Sequence, residues 1–400
     1  MGFDHKTPFM HHARVSSHFF FPPPQFMKIA HVFIRMPVGG AEDLMGDILR
    51  TAPAGTEMRI VCLQELGKVG EALRDQFPGQ VELLPWVSGK RFRFGAVLKL
   101  AKWLREQSVQ IMHTHVYNAH VYGVLAARRA GIPAVMHHHK TYATMRWRRK
   151  LVLRALSHRT AAHITLSAQT RADLCRAFGI APERVRVFIN PMDEDTFHPA
   201  ADRAALRQSL GLNATTPLIG TVAALTPPKN HLLNVTMTVK LNQLGFAGRF
   251  LAFGEGGERT RIAEAAQQQK LVNFELMGSR RPIAPWVQAL DVFTLGSTWE
   301  GQPLALLQAM ACELPIVASR IEGNEAVLGP EHPALFEVSD ATAYAATVCR
   351  TLNDATFRSA VLAHQRRRRS ELPTLRDYSR NLAEFYQTVL AGSVTENQPR

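Results

Sequence analysis

Short apolar runs alternate with amphipathic helical stretches along most of the chain, and this alternation constrains the fold more than any other feature. In the first half the runs are Ile29 to Ile34, Met58 to Leu63, Gln110 to His113, Ala134 to Met136 and His163 to Leu166. Such runs are typical of a parallel sheet with helices on both faces. The alternation restarts at Leu218, and 400 residues exceed the size at which a single core keeps growing. We therefore predict an α/β protein with two doubly wound domains.

Two polar segments, Asp193 to Asp202 and Gly211 to Pro217, flank a short helical stretch and suggest a linker. We predict an N-terminal domain over residues 27–200 and a second domain over residues 201–372. Residues 373–391 predict a final helical region, followed by a tail over 392–400. Residues 1–26 show neither a strand nor a helix period and lack a signal-peptide pattern, so they predict a disordered extension or an upstream start codon.

The stretch over residues 297–318 reads as an acidic loop, an amphipathic helix and a buried strand. Gly301 and Pro303 mark a turn and a helix start, which places Glu300 at the mouth of a helix N-terminus. Free amides there suit a phosphate, while a carboxylate suits sugar hydroxyls. A nucleotide sugar needs both. The alternative is an ordinary strand-loop-helix-strand unit in which Glu300 is only solvated.

Two glycine loops accompany this stretch. Gly39-Gly40 follows the first apolar run, and Gly254 follows a strand that ends near Phe253. In this order, from about Met27 to about Leu390, the motifs resemble the retaining, metal-independent glycosyltransferases of family 4. The resemblance implies the GT-B fold, in which two Rossmann-like domains face a central cleft. The family signature is an acidic residue, seven others and a second acidic residue, which here are Glu300 and Gln308. An amide can replace a carboxylate's hydrogen bonds but not its charge.

The resemblance also implies the roles of individual residues. The donor would contact the two glycine loops, one lysine and the start of the helix: Gly39, Gly40, Lys229, Gly254, Glu300, Gly301, Gln302, Pro303, Leu304 and Gln308. The predicted catalytic residues are Glu300, Lys229 and His139. The predicted acceptor-binding residues are His115, Asn118, His139 and Lys140.

The leaving diphosphate would be held by cations of the protein, and neither a metal nor another cofactor is expected. The family places an arginine five residues before its lysine. Here Ala224 stands at that position, so we expect weaker stabilisation of the leaving group unless another cation substitutes.

A cluster of histidines lies in the first half of the chain: His113, His115, His120, His137, His138 and His139. Neutral imidazoles bind zinc, but three adjacent histidines on a strand point to alternate faces and cannot all converge on one ion. The resemblance places His139 near the reacting sugar. A structural role at the strand ends remains the alternative for His113, His115 and His137.

The formal net charge is +14, and many of the cations fall in the predicted N-terminal domain. We predict that this surface docks on anionic lipid at the inner face of a membrane; a solvated helix face is the alternative. A nucleic-acid partner is disfavoured because we recognise no nucleic-acid-binding module. Widely spaced cysteines indicate free thiols in the cytoplasm, and no apolar run has the length of a transmembrane helix.

These features together predict a glycosyltransferase that moves a sugar from a nucleoside diphosphate to a cell-surface glycolipid or polysaccharide precursor, such as that of lipopolysaccharide or exopolysaccharide. One alternative is a catalytically impaired GT-B protein that binds a nucleotide sugar or supports a partner, which the residues at positions 224 and 308 favour. Another is a related sugar phosphate or sucrose phosphate synthase, which the basic acceptor domain disfavours.

Overall fold

The computed structural model describes residues 26–37, 39–89, 91–139 and 145–396, and the side chains up to residue 392. Except for Phe26, the predicted N-terminal extension lies outside the described residues. Lys140 and residues 397–400 lie outside them as well.

The N-terminal domain contains a parallel sheet of seven described strands in the order β3-β2-β1-β4-β5-β6-β7. The strands are β1 Met27–Phe33, β2 Thr56–Cys62, β3 Val81–Leu83, β4 Ile111–His115, β5 Ala134–His138, β6 Ala162–Thr165 and β7 Val185–Val187. The helices are α1 Gly40–Arg50, α2 Gly67–Gln76, α3 Phe94–Glu106, α4 Tyr117–Ala130, α5 Trp147–Ser157 and α6 Ala168–Phe178. Every residue of β4 and β5 is buried, because helices cover both faces of the sheet.

The second domain contains a parallel sheet of six described strands in the order β10-β9-β8-β11-β12-β13. The strands are β8 Leu218–Val222, β9 Arg249–Phe253, β10 Phe274–Gly278, β11 Val292–Leu295, β12 Ile316–Ser319 and β13 Leu335–Phe336. The helices are α7 Arg203–Ser209, α8 His231–Gln243, α9 Arg259–Gln268, α10 Ala284–Gln288, α11 Leu304–Ala311, α12 Glu322–Leu328, α13 Ala341–Asn353 and α14 Ala355–Arg369.

Both sheets reverse their strand order at a central pair of strands, β1 and β4 in the first and β8 and β11 in the second. Ligands of doubly wound sheets bind outside the carboxyl ends of the strands at such a switch point. The predicted pair of doubly wound domains is confirmed. The loops that carry the predicted site residues follow these central strands and their neighbours β5 and β9.

The last helix, α15 Leu375–Glu396, returns to the first domain. Tyr378, Leu382 and Tyr386 are buried in the same apolar cluster as residues of β1 and β4. The first domain is therefore completed by the C-terminal end of the chain. Within the described ranges, none of the helices combines the length and apolar character needed to cross a bilayer.

Candidate active site

Glu300 lies in the loop between β11 and α11 and is nearly buried, with 8% of its surface exposed. Ser297 Oγ donates a hydrogen bond to one carboxylate oxygen at 2.7 Å, and Lys229 Nζ donates to the other at 2.5 Å. Lys229 ends a 3₁₀ turn, Pro227–Lys229, in the loop that follows β8. Because β8 and β11 are neighbours, this ion pair sits at the switch point of the second sheet.

Helix α11 begins directly beside this pair. Pro303 occupies the N-cap position, and no side chain caps the first turn. The N–H of Leu306 donates to the carbonyl of Pro303 at 3.2 Å, but no side chain caps the N–H groups before it, and the helix dipole favours an anion there. The structure thus combines a carboxylate, an ammonium group and a helix N-terminus within one loop region.

The glycine loop of the first domain faces this helix start. A Cβ atom at Gly40 would lie 3.2 Å from Leu304 Cδ1, and one at Gly301 would lie 3.0 Å from the carbonyl oxygen of His139. A larger residue at either glycine would require the facing group of the other domain to shift. The structure therefore brings Gly40, His139 and Gly301 together across the cleft.

Gly254 belongs to the same region, in the loop after β9. Its φ of +143° is a conformation that other residues rarely adopt, and a Cβ there would collide with the carbonyl of Ala223. The loop consequently packs against the loop that holds Ala224 and Lys229. Ala224 itself is exposed.

Gln302 makes a contact that the sequence did not indicate. Its side-chain oxygen accepts a hydrogen bond from the backbone N–H of Asn190 at 2.6 Å, and Asn190 Nδ2 donates to its carbonyl at 3.0 Å. The residue therefore ties the loop of Glu300 to the end of the first domain. Gln302 Nε2 is buried and has no hydrogen-bond partner among the described residues. Gln308 is half-buried on α11.

The predicted acceptor residues follow β4 and β5. Asn118 is exposed in the first turn of α4, whereas His115 is buried and stacks on Phe33 with ring centroids 4.3 Å apart. His115 Nδ1 lies 3.0 Å from His139 Nε2. Between His115 and α4, Val116 has φ +59° and ψ 163°, a conformation that is essentially reserved for glycine. Such strain in a β-branched residue marks the loop as a functional candidate.

Two groups of histidines place one ring nitrogen each within 4.8 Å of one another: His31, His113 and His115, and His115, His137 and His139. The rings are stacked, however. His137 and His139 have centroids 4.0 Å apart at 23°, and His113 and His115 have centroids 4.5 Å apart at 7°. A metal lies near the plane of each imidazole that binds it, at about 2 Å. His113 and His115 therefore do not converge on one ion in these rotamers, whereas the planes of His115 and His137 are inclined at 40°.

The chain also contains the acidic run Asp193-Glu194-Asp195, and carboxylates are ligands that bind divalent cations. Asp193 pairs with Arg50 at 3.0 Å and Glu194 with Arg369 at 2.7 Å. These carboxylates therefore make ion pairs around the linker.

Burial also sets the charge state of the histidines. It lowers the pKa of His31, His120 and His163 to about 3, and it lowers the pKa of His113, His115, His137 and His138 well below 6.5, with neighbouring groups as a smaller cause. These seven imidazoles are neutral at pH 7. His138 lies on the other side of β5 from His137 and contacts His120 and His163.

Gly323 packs closely against the backbone of the Glu300 loop, and we expect Gly323→Ala to displace that loop. A Cβ at Gly323 would lie 2.5 Å from the carbonyl oxygen of Glu300, so the loop must move. Overpacking of this kind costs about 1–3 kcal/mol. Thermal unfolding should show a lower Tm, and turnover should fall with it. Gly257→Ala is the matched control, since nothing lies within 4 Å of a Cβ there. Equal behaviour of the two variants would contradict this role.

The fold agrees with known structures of GT-B proteins. HepE from Anabaena, solved with UDP and glucose, superposes with a TM-score of 0.76 at 20% identity, over 90% of this chain and 99% of HepE. Sucrose-phosphate synthase from Thermosynechococcus elongatus gives a TM-score of 0.74 at 19% identity, over 92% of this chain and all of that one. Both sheets and the cleft between them therefore follow the GT-B architecture.

Sequence comparison assigns the family. The model "Glycosyltransferase Family 4" matches residues 38–196, and "Glycosyl transferases group 1" matches residues 216–354. The chain belongs to the family 4 glycosyltransferases. It is 29% identical over 272 residues to UDP-Gal:alpha-D-GlcNAc-diphosphoundecaprenol alpha-1,3-galactosyltransferase of Escherichia coli, covering 65% of this chain and 70% of the relative. It is 25% identical over 217 residues to the lipopolysaccharide core biosynthesis mannosyltransferase LpsB of Rhizobium meliloti, covering 51% and 61%.

A second concavity, of about 1720 Å³, lies beside α15 and the amino ends of β5 and β6. His139 follows the carboxyl end of β5, at the opposite end of the strands. The concavity is therefore separate from the site described above.

Proposed function

We propose that this protein is a retaining, metal-independent glycosyltransferase that moves a sugar from a UDP-sugar to a glycolipid or polysaccharide precursor at a membrane. The observation that carries the proposal is the Glu300–Lys229 pair beside the uncapped start of α11, opposite His139 and the Gly39-Gly40 loop. Uridine as the base is supported by the galactosyltransferase of E. coli, whose name specifies UDP-Gal. The same relative acts on a lipid diphosphate, and LpsB acts in lipopolysaccharide core synthesis.

In this proposal the α11 amides and Lys229 hold the diphosphate, and Glu300 positions sugar hydroxyls. An ammonium group has three donors, so Lys229 can keep Glu300 as a partner while it binds a phosphate oxygen. Protein cations and helix amides stabilise the charge that develops on the leaving group, and no metal is needed. Attack occurs on the face from which the diphosphate departs, and the diphosphate helps to take the proton of the acceptor. NMR of the product at early times tests this step, because an inverted anomer would exclude it.

A panel of nucleotides tests the donor. Purified protein is heated with UDP, GDP, ADP and their sugars at equal concentration. A specific ligand stabilises the fold by RT ln(1 + [L]/Kd), which is about 2.7 kcal/mol at 100 times Kd. UDP and one UDP-sugar should raise the Tm more than the other nucleotides. Equal shifts for all three bases would reject uridine.

One observation favours the alternative of a catalytically impaired protein: Ala224 places no cation in the loop beside Lys229. Slow hydrolysis of the UDP-sugar by purified protein, followed as UDP release, would separate the two functions. A competent transferase should release UDP, and Glu300→Ala protein should not. No release with any UDP-sugar that binds would favour the binding-only function.

Lys229→Ala should weaken UDP binding far more than uridine binding, because its predicted partner is the diphosphate. Charge-assisted hydrogen bonds contribute about 1.5–3 kcal/mol each, which corresponds to roughly a 10- to 150-fold loss of UDP affinity. Calorimetric titration of both ligands measures the difference. Lys240→Ala, on α8, is a control that should leave both affinities unchanged. Equal losses for UDP and uridine would contradict the assignment.

The membrane part of the proposal rests on α5. Only Leu153, Leu156 and Ser157 of this helix are buried, while Trp147, Leu151 and Val152 are exposed beside several arginines. Among the described residues, the cations of α5 form no ion pair with an acidic side chain; Arg148 and Arg149 instead lie over the rings of Trp147 and Tyr117. Unpaired cations interleaved with exposed apolar side chains suit an anionic lipid surface.

Replacing Arg146, Arg148, Arg149 and Lys150 by Gln should release the protein from anionic vesicles. Each near-surface cation contributes about 1 kcal/mol, so the loss should reach several kcal/mol. Sedimentation with phosphatidylserine vesicles measures it, and binding of the unmodified protein should fade as salt rises, because the Debye length at physiological salt is about 8 Å. The control replaces four cations of the second domain: Lys240, Arg261, Lys270 and Arg350. Salt-insensitive binding, or equal losses in both variants, would reject this surface.

A further inference from the structure

A chain of hydrogen-bonded rings leads from the cleft into the core of the first domain. His139 Nε2 lies 3.0 Å from His115 Nδ1, and His115 Nε2 lies 3.0 Å from His31 Nδ1. His31 Nε2 lies 3.4 Å from Tyr386 Oη, which in turn lies 2.5 Å from His113 Nδ1. Apart from His139, which is half-buried, every member is at most 3% exposed. The inner members come from β1, β4 and α15.

The chain restricts where the protons can be. A neutral imidazole carries one N–H, so it donates one hydrogen bond and accepts another. Burial keeps His31, His113 and His115 neutral. If every link is made and the Tyr386 hydroxyl donates to one of its two partners rather than accepting from both, the protons can point in only two consistent directions, toward the core or toward His139.

The two directions differ at the inner end. If the protons point toward the core, Tyr386 donates to His113 Nδ1, and the proton of His113 is on Nε2. His113 Nε2 is buried and has no partner among the described residues, so this arrangement leaves an unpaired N–H. If the protons point toward His139, His113 Nε2 is an unpaired acceptor instead. Orphaned buried N–H groups are rare in proteins, and under-satisfied acceptors are less so, which favours the second arrangement.

We propose that Tyr386, through His31 and His115, fixes the tautomer of His139 at the cleft, with His139 accepting at Nε2 and carrying its proton on Nδ1. Tyr386, His31 and His115 are then positioning residues, and His139 is the group that they present to the substrate. The functional part rests on the proposed glycosyl transfer, whereas the tautomer is a property of the protein alone.

The test is NMR of the full-length chain with ¹³C,¹⁵N-labelled histidine at pH 7.5, with His139 assigned from the spectrum of His139→Asn. His139 should show a protonated Nδ1 and an unprotonated Nε2. Tyr386→Phe removes the only hydroxyl in this chain of hydrogen-bonded rings. In that variant we expect His139 to show a mixture of tautomers. Tyr378→Phe is the matched control, since it removes another buried hydroxyl from α15, outside the chain of rings, and should leave His139 unchanged.

A protonated Nε2 at His139, or an unchanged His139 in Tyr386→Phe, would overturn the proposal. If Tyr386→Phe does not fold, His115→Gln is used in its place, because it interrupts the chain of rings beside His139. We expect the same mixture of tautomers at His139. In the activity assay, Tyr386→Phe should lower kcat by about tenfold with the donor KM within about twofold, while Tyr378→Phe changes neither. An unchanged kcat would overturn the positioning role. A protein that has the expected tautomers but binds no nucleotide would contradict the proposed function and would leave the tautomer assignment intact.

Discussion

Glu300→Ala should lower turnover by roughly 10²-fold or more while leaving the fold intact. The carboxylate is nearly buried and held at both oxygens, by Ser297 and by Lys229, so it is organised before the substrate arrives. Removal of one preorganised group of this kind from an active site costs about 10²–10³ in kcat. The partner left behind, Lys229, is 26% exposed and can turn toward water, so the loss of stability should be small.

Steady-state kinetics and a melting curve of the variant measure the two effects. Ser297→Ala should give a smaller loss than Glu300→Ala, because it removes the group that orients the carboxylate and keeps the carboxylate itself. Glu264→Ala, an exposed acidic residue on α9, is the neutral control. Turnover near that of the unmodified protein in Glu300→Ala would remove this residue from the active site.

The sequence predicted the fold and the principal loops because both follow local patterns. Apolar runs of strand length, punctuated by glycine and proline, define the sheets. The resemblance to family 4 placed Glu300 and Lys229 in one site although they lie 71 positions apart, and the neighbouring ends of β8 and β11 bring them together in the structure. The start of α11 after Pro303 is likewise a local signal, and the structure confirms it.

The remaining features depend on contacts between distant residues without a local pattern. His113 and Tyr386 are separated by 273 positions, and Asn190 and Gln302 by 112. Neither pair has a signature in the sequence around it. The role of Gly323 depends on a carbonyl in another loop, and the strain at Val116 is visible only in the backbone angles. A valine between a strand and a helix gives no warning of a positive φ.

The ring stack required both kinds of information. Alternation along a strand correctly predicted that His138 would point away from His137. It could not reveal that His31, on β1, stacks on His113, or that Tyr386, on the last helix, meets the His31 ring edge-on. These two residues extend the hydrogen bonds of His115 and His113 into the core. Only the packed structure shows how the ring planes are inclined to one another.

The second large effect is acid unfolding of the N-terminal domain between about pH 6.5 and pH 5. Seven buried histidines there have a pKa lowered from 6.5, to about 3 for His31, His120 and His163. The unfolded chain binds protons at these sites below pH 6.5, whereas the folded domain does not. These histidines therefore do not reduce the free energy of unfolding above pH 6.5. They reduce it progressively as the pH falls from 6.5 toward their pKa values in the folded domain.

Whether the domain unfolds depends on how far protonation of the unfolded chain lowers its free energy of unfolding. One pH unit below 6.5 costs about 1.4 kcal/mol for each histidine, which for seven is on the order of 10 kcal/mol. Asp43 and Asp47 act in the opposite direction, because burial raises the pKa of both, to about 7 for Asp47, but they are two groups against seven. Typical stabilities are only about 5–15 kcal/mol, so the domain should unfold in mild acid.

Hydrogen exchange read by mass spectrometry from pH 8 to pH 5, corrected for the intrinsic pH dependence of exchange, measures each domain separately. The first domain should lose protection at higher pH than the second, in which burial lowers the pKa of His231 and His332. His120→Gln with His163→Gln removes two titrating groups, so the dependence of stability on pH should become shallower by about two protons, whatever the stability at pH 8. The exposed His158→Asn is the control and should leave the slope unchanged. Full protection of the first domain at pH 5 would contradict the expected acid unfolding, and a slope of stability with pH that is unchanged in the double variant would show that these imidazoles do not titrate as proposed.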